Sequence, residues 1–388
     1  MIYLDHAATT PVYPEVIEEM MPYFDKKFGN PSGIYEFASE NKEKIQRVRN
    51  IIAESIDASA DEIYFTSGGT ESDNWAVRGI AESMKSKGKH IITSAIEHHA
   101  ILNTCDFLEK HGYEVTYLDV DDTGMISLEQ LRKSIRKDTI LISIMFANNE
   151  IGTIEPIREI GEIAAEHNIY FHTDAVQAYM HVPVNVNDMK IDLMSASSHK
   201  FGGPKGVGFL YIRDGINIAN LMYGGGQESG KRAGTENVAG IIGMGKAVEL
   251  AGNSMVRDNI YLRNMREYLY YRITSEIPYV RLNGSRTERL SGNLNISFKY
   301  IEGESLLIML DMEGICASAG SACTAGSKES SYVLKAIGVP EEFAKGSLRI
   351  TLGTDNTMND MDIVFEKINY IVNTLREFSD EYVNLRVI

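Results

Sequence analysis

Between residues 62 and 213, short apolar runs alternate with amphipathic stretches, and this alternation constrains the fold more than any other feature of the chain. The runs "EIYFTS", "HIITSA", "EVTYLDV", "TILISIMFA", "IYFHTDA", "IDLMSAS" and "GVGFLYI" have the length and composition of strands. Between them, "TESDNWAVRGIAESMKSKG", "AILNTCDFLEKHG", "LEQLRKSIRK" and "IREIGEIAAEHN" carry helical periodicity. Strands that alternate with helices build a sheet covered on its faces. The expected class is therefore α/β, with a mostly parallel seven-stranded sheet made from those runs. Ligands of such sheets bind beyond the carboxyl ends of the strands, so functional residues are sought along that edge.

Past about residue 256 the pattern changes. The helical stretch "RDNIYLRNMREYLYYRITSEI" leads to "NLNISFKYI", a helix near "ESLLIMLDMEG", the small-residue run "ASAGSACTAGSKESS", then "GSLRITLG" and a final helix from residue 358. A smaller α+β domain is expected there. With 388 residues the chain has room for two cores: a large domain over 12–256, and a small one from 1–11 and 257–388.

Acidic residues outnumber basic ones 54 to 38, a formal net charge of −16, which repels polyphosphates and argues against nucleic acid as a partner. The opening "MIYLDHAATTPVYPEV" lacks a basic segment followed by an apolar one. No apolar stretch approaches the roughly 18–20 residues of a membrane span. A cytoplasmic protein without a membrane partner is expected. Three cysteines, Cys105, Cys316 and Cys323, are too few and too irregularly spaced for a disulfide framework or a metal site.

The polar residues at the strand ends carry the chemistry. In "YFTSGGTESDN" a strand meets a Gly-Gly turn and a helix opened by Thr70, which offers an anion free N–H groups and a hydroxyl. Asn149 in "MFANNEIG" and Asp174 in "FHTDAVQA" follow apolar strands, with Gln177 three residues on. His98 in "SAIEHHAIL" closes another strand, and His99 reads as a surface or capping residue. Lys200 stands among small residues in "SASSHKFGGPKG", surroundings in which an amine can release its proton and act as a nucleophile toward an aldehyde. If Lys200 carries pyridoxal phosphate, each remaining part finds a task. Gly69, Thr70, Ser197 and His199 offer phosphate donors, and Asp174 a carboxylate for the pyridine nitrogen. His98 supplies a flat partner for the ring, while Asn149 and Gln177 bond its phenolic oxygen.

These motifs resemble, in order, those of the cysteine desulfurases: "YLDHAATTPV", "GNPSG", "TSGGTESDN", "EHHA", "NNEIG", "TDAVQ", "SSHKFGGPKGVG", "GGGQESGKRAGTEN", "SAGSACTAG" and "SLRITLG". The likeness spans essentially the whole chain. It implies an aminotransferase-like fold of the class V type (PLP fold type I) and a homodimer. It also implies removal of sulfur from L-cysteine to leave L-alanine and a persulfide on an enzyme cysteine. Thr235, from "RAGT", is implied to reach the cofactor phosphate in the partner subunit, and Arg349 to hold the substrate carboxylate together with Asn149. His98 is implied to be catalytic alongside Lys200 and Cys323.

Among the cysteines, Cys105 shares an apolar helix spacing with Ile101, Leu102 and Leu108 and reads as buried; Cys316 reads as packed. Cys323 has small residues on both sides, as suits an exposed loop carrying sulfur from a cofactor to an acceptor protein, such as an iron–sulfur scaffold or a tRNA thiolation enzyme. Tyr35 and Ala38 stand where the family commonly has histidine and glycine, and Thr354 where an arginine often follows the glycine. Alternatives of the same fold are a selenocysteine lyase, a cysteine sulfinate desulfinase and a non-catalytic scaffold.

Overall fold

The computed structural model describes residues 1–319 and 331–385. In chain order its strands are β1 (Ile2–Tyr3), β2 (Ile63–Thr66), β3 (His90–Ser94), β4 (Glu114–Leu118), β5 (Thr139–Ser143) and β6 (Tyr170–Asp174). They continue with β7 (Leu193–Ser197), β8 (Gly208–Ile212), β9 (Val280–Leu282), β10 (Asn293–Phe298), β11 (Ile315–Cys316) and β12 (Ser347–Thr351). Seven of these form one sheet in the order β2-β8-β7-β6-β5-β3-β4, parallel except at the two pairings of β8.

Side chains of a strand alternate between faces, and here both faces are covered. Ile63, Phe65, Ile92, Ile142, Phe171, Met194, Ala196, Phe209 and Tyr211 enter one core, with the helices Glu36–Ser55 and Ile157–Glu166. Tyr64, Ile91, Leu141, Leu193, Leu210 and Ile212 enter the other, against Trp75, Ala76 and Ile80 of the helix Gly69–Ser83 and Ile101, Cys105 and Leu108 of His99–Glu109. Burial on both sides explains why these strands read as unbroken apolar runs. β5 ends at Ser143, short of the run "TILISIMFA", whose last residues form the irregular turn leading to Asn149.

A separate core gathers Leu294, Ile296 and Phe298 of β10, Leu348 and Ile350 of β12, and Met361, Val364, Phe365, Ile368 and Val372 of the helix Met358–Glu377. The antiparallel three-stranded sheet β12-β10-β9 lies in it. The sequence pattern predicts a helix beginning near residue 257. The structure instead has one helix over Val238–Glu276, capped by Asn237. Its first half, from Ile241 to Ala251, packs in the large core, and its second, from Leu262 to Ile273, in the small one. The change in pattern at residue 256 marks a change of core and no break in the helix.

The amino-terminal residues join the two regions. β1 pairs in parallel with β11, Leu4 enters the smaller core, and Asp5 bridges to Thr351. A few residues on, the Thr10 N–H donates to the His199 carbonyl at 2.9 Å, at the end of the large sheet. Among the described residues no helix is long and apolar enough to cross a membrane.

Candidate active site

β7 ends at Ser197 and runs into a single 3-10 turn, Ser198–Lys200. Gly202 follows with φ +83°, and a Cβ there would lie 2.1 Å from the Tyr13 ring, so only glycine fits the turn. This crowding fixes the backbone of Lys200 and leaves its side chain to reach inward. The Lys200 amine donates to the carbonyl of Ala8 at 3.0 Å and to that of Ala7. Behind it, His181 Nε2 donates to the Lys200 carbonyl at 3.0 Å, and burial pushes the His181 pKa down, which keeps the ring neutral. The Gln177 amide donates to the same Ala7 carbonyl at 3.0 Å. His199 Nδ1 lies 3.2 Å from Thr9 Oγ1.

Asp174 is the last residue of β6 and is buried; its Oδ1 accepts from the Val176 N–H at 2.9 Å. Burial pushes its pKa up, while His98 and Lys200 oppose the shift. Asp73, on the helix Gly69–Ser83, is also buried, and burial together with Asp174 drives it well above the carboxylate range. Oxygens of the two aspartates and a ring nitrogen of His98 lie within 4.8 Å of one another. Two carboxylates this close in a dry site do not both ionise, so the pair holds a proton between them. The neighbouring His172 is held by Ser143 Oγ at 2.9 Å and Ser195 Oγ at 3.0 Å. Burial takes its pKa down to about 3, so its 3.7 Å approach to Asp73 is not an ion pair.

His98 caps the helix His99–Glu109, its Nδ1 accepting from the Ala100 N–H at 3.1 Å. Nδ1 is therefore the bare nitrogen, and the neutral ring carries its proton on Nε2. Capping falls to His98, whereas the sequence pattern leaves His99 as a surface or capping residue; the ring of His99 packs edge-on against Tyr332, centroids 4.9 Å apart. Burial lowers the His98 pKa, and Asp174 works against this.

At the anion-seeking corner the helix begins at Gly69, one residue before the expected Thr70, with Gly68 as cap at φ +148°. A Cβ on Gly69 would meet Val176 at 2.5 Å, and one on Gly68 would lie 3.5 Å from Ser197 Oγ. The glycines thus bring the free N–H groups of a 15-residue helix beside Ser197 and the loop after Asp174. Thr70 is exposed, as is Thr235. The loop of Thr235 is tied to the same helix by Arg232, whose guanidinium grips Glu71 at 2.7 and 3.0 Å.

Arg349, on β12, comes in from the smaller sheet and is only 3% exposed. It donates to the Asn149 carbonyl at 3.1 Å and pairs with Asp5 Oδ1 at 2.8 Å. Its Nε and the side-chain oxygen of Asn149 are buried without a hydrogen-bond partner. Such orphaned atoms are costly unless a ligand meets them. A cavity of about 110 Å³ also touches Lys200, lined by His6, Gln177, His181, Asn259 and Thr351; Asp174, His98 and Asn149 do not line it.

Cys105 is fully buried and its thiol is pushed up to about 12, which makes it inert. Cys316 is half-buried in β11. Cys323 lies outside the described residues.

The sequence pattern does not assign Asp73 or the segment Asp5–Thr10, which bonds Arg349, Gln177, Lys200 and His199 in turn. Much of that bonding comes from main-chain carbonyls, which have no side-chain signature. The run "DHAATT", polar and small between apolar neighbours, is the one signal that could have pointed to it.

The profile of the aminotransferase class-V family matches residues 2–364, and the chain belongs to that family. Cysteine desulfurase IscS of Clostridium botulinum is 55% identical over 380 residues, covering 97% of this chain and 96% of its own. A solved NifS-like protein superposes with a TM-score of 0.88 at 36% identity, covering 97% of this chain and 98% of that one. The structure titled SspA in complex with cysteine gives a TM-score of 0.80 at 38% identity, covering 91% and 99%. Within the class-V aminotransferases, the chain is therefore a member of the cysteine desulfurase family.

Proposed function

We propose that this chain is a pyridoxal-phosphate-dependent cysteine desulfurase that takes sulfur from L-cysteine, releases L-alanine and holds the sulfur as a persulfide on Cys323. The observation that carries the reading is the meeting of Lys200, Asp174 and His98 at the carboxyl edge of the large sheet, beside the glycine-lined start of a helix. These residues fit the cofactor. Lys200 would bind its aldehyde carbon, Asp174 its ring nitrogen, and His98 its ring face. Asn149 and Gln177 would serve its phenolic oxygen, and Gly69, Thr70, Ser197 and His199 its phosphate. The close approach forced at Gly69 supports the phosphate assignment.

When bound, the cofactor supplies a sink for the electron pair left on the substrate carbon. The protein's own residues do the rest. Arg349 and Asn149 hold the α-carboxylate and orient the substrate. The amine of Lys200 removes the α-proton, and His98, with its proton on Nε2, stands ready to pass one on. The Cys323 thiolate attacks the substrate sulfur, so that a sulfur–sulfur bond forms as the carbon–sulfur bond breaks. The electron pair of the broken bond stays on the β-carbon, which takes up a proton, and the α-carbon takes back the proton that Lys200 removed, so that alanine leaves.

The enzyme acts as a homodimer, with Thr235 serving the phosphate of the second copy. Large apolar side chains exposed in one short segment, Ile17, Met21, Phe24, Phe28, Ile34 and Tyr35, support such a contact. The division into 12–256 and 1–11 plus 257–388 draws support from two of the cores, while Leu290 packs in the large core and Val333, Leu334 and Ile337 pack with Ile96, Met145 and Ile151 across the boundary. A cytoplasmic location and a sulfur-acceptor protein complete the reading.

The test mixes pure protein with L-cysteine and a reductant and measures alanine and sulfide. Wild type yields both, Lys200→Ala neither, and Cys323→Ser no sulfide. Full sulfide release by Cys323→Ser overturns the persulfide step.

A further inference from the structure

The guanidinium of Arg349 is buried, and one of its terminal nitrogens already holds a carboxylate, that of Asp5, at 2.8 Å. The other donates to the Asn149 carbonyl, and Nε is unpartnered. Arg349 therefore has a donor to spare, in a place where a second anion would share the guanidinium with Asp5. The main chain of Asp5 is held independently of Arg349: Tyr3 Oη donates to its backbone carbonyl at 3.0 Å, and its backbone bridges to Thr351. Its carboxylate is thereby anchored within side-chain reach of Arg349, the group it pairs with.

On the reading that Arg349 receives the α-carboxylate, we propose that Asp5 is a positioning residue that sets how tightly the site holds that carboxylate. Two carboxylates on one guanidinium repel each other, and in a water-poor site the repulsion is weakly screened. Substrate and product both carry the α-carboxylate. A resident counter-charge therefore weakens the grip on L-alanine as much as on L-cysteine and favours product release. Removing the charge of Asp5 leaves a buried guanidinium uncompensated, a cost that a bound carboxylate then relieves. The variant binds amino acids more tightly as a result.

The experiment titrates the holoenzyme with L-alanine by calorimetry and measures the KM for L-cysteine in parallel. Asp5→Asn keeps the size and a hydrogen-bonding oxygen but removes the charge. Its Kd for L-alanine is expected to fall at least threefold, with a parallel fall in KM, and added L-alanine should raise its Tm more than that of wild type. Asp5→Glu, which keeps the charge, should stay within twofold of wild type. Asp5→Ser, also neutral, repeats the measurement should Asp5→Asn fold poorly. A smaller drop in Kd, or an increase, in the folded neutral variant overturns the proposal and leaves Asp5 a purely structural partner. Arg349→Gln separates the two layers: it should weaken L-alanine binding. If it does not, the reading of Arg349 itself fails; if it does while neutral Asp5 variants show no tightening, only the role of Asp5 fails.

Discussion

At the edge of the seven-stranded sheet the Lys200 amine rests against the main-chain carbonyls of Ala7 and Ala8, whereas from the three-stranded sheet the Arg349 guanidinium reaches the carboxylate of Asp5. The contrast follows the two chemistries. The Lys200 amine donates to neutral main-chain dipoles and meets the Asp174 carboxylate through its charge. A guanidinium stays charged at any working pH and tolerates an ion pair. One stretch of chain, Asp5–Ala8, supplies both settings. The acids divide the same way: Asp73, Glu97 and Asp174 on the large-sheet side are buried and pushed up, whereas Asp5 is ion-paired on the other side.

The contrast breaks most visibly at the lysine. Lys200→Ala should lower alanine formation from L-cysteine by about 10³-fold or more, because both cofactor attachment and proton removal are lost. Retention of a tenth of the wild-type rate would remove the lysine from the chemistry. On the other side, Arg349→Lys keeps the charge and loses the fork. The KM for L-cysteine is expected to rise about 10- to 100-fold, the loss of one or two charge-assisted hydrogen bonds, while the cofactor stays bound.

A stability measurement tests the buried acids. Glu97, hydrogen-bonded to Ser94 Oγ and the Met145 N–H, is raised by burial to about 8 from an ordinary 4.5. Between these values the folded protein binds a proton that the unfolded chain has lost, so stability falls as pH rises through the window. Glu97→Gln should flatten that fall by up to about 1.4 kcal/mol per pH unit, read from Tm or urea midpoints between about pH 5 and 8. An unchanged slope would mean that Glu97 is ionised in the fold. The smallest effect belongs to Cys105. Cys105→Ala should cost about 1 kcal/mol of stability and leave persulfide formation within about twofold of wild type, as measured by mass spectrometry.

What was legible in the sequence was whatever rests on alternation. The seven strands of the sheet, the burial of Cys105, and Asp174 and Lys200 at strand ends follow from apolar runs stopping at polar residues. The second half of the helix Val238–Glu276 was legible from residue 257, whereas its first half escaped because the apolar face changes core midway, which blurs the period. The seat of Lys200 escaped because carbonyls leave no pattern. Asp73 escaped because an acid near a helix start reads as an ordinary dipole partner. Only the fold brings it beside Asp174.

The most direct measurement is of the bond at Lys200. Pure protein incubated with pyridoxal phosphate, reduced with borohydride, digested and mapped by mass spectrometry should carry one phosphopyridoxyl group, on the peptide containing Lys200. A label on another lysine, or none on a folded and cofactor-saturated sample, would contradict the account.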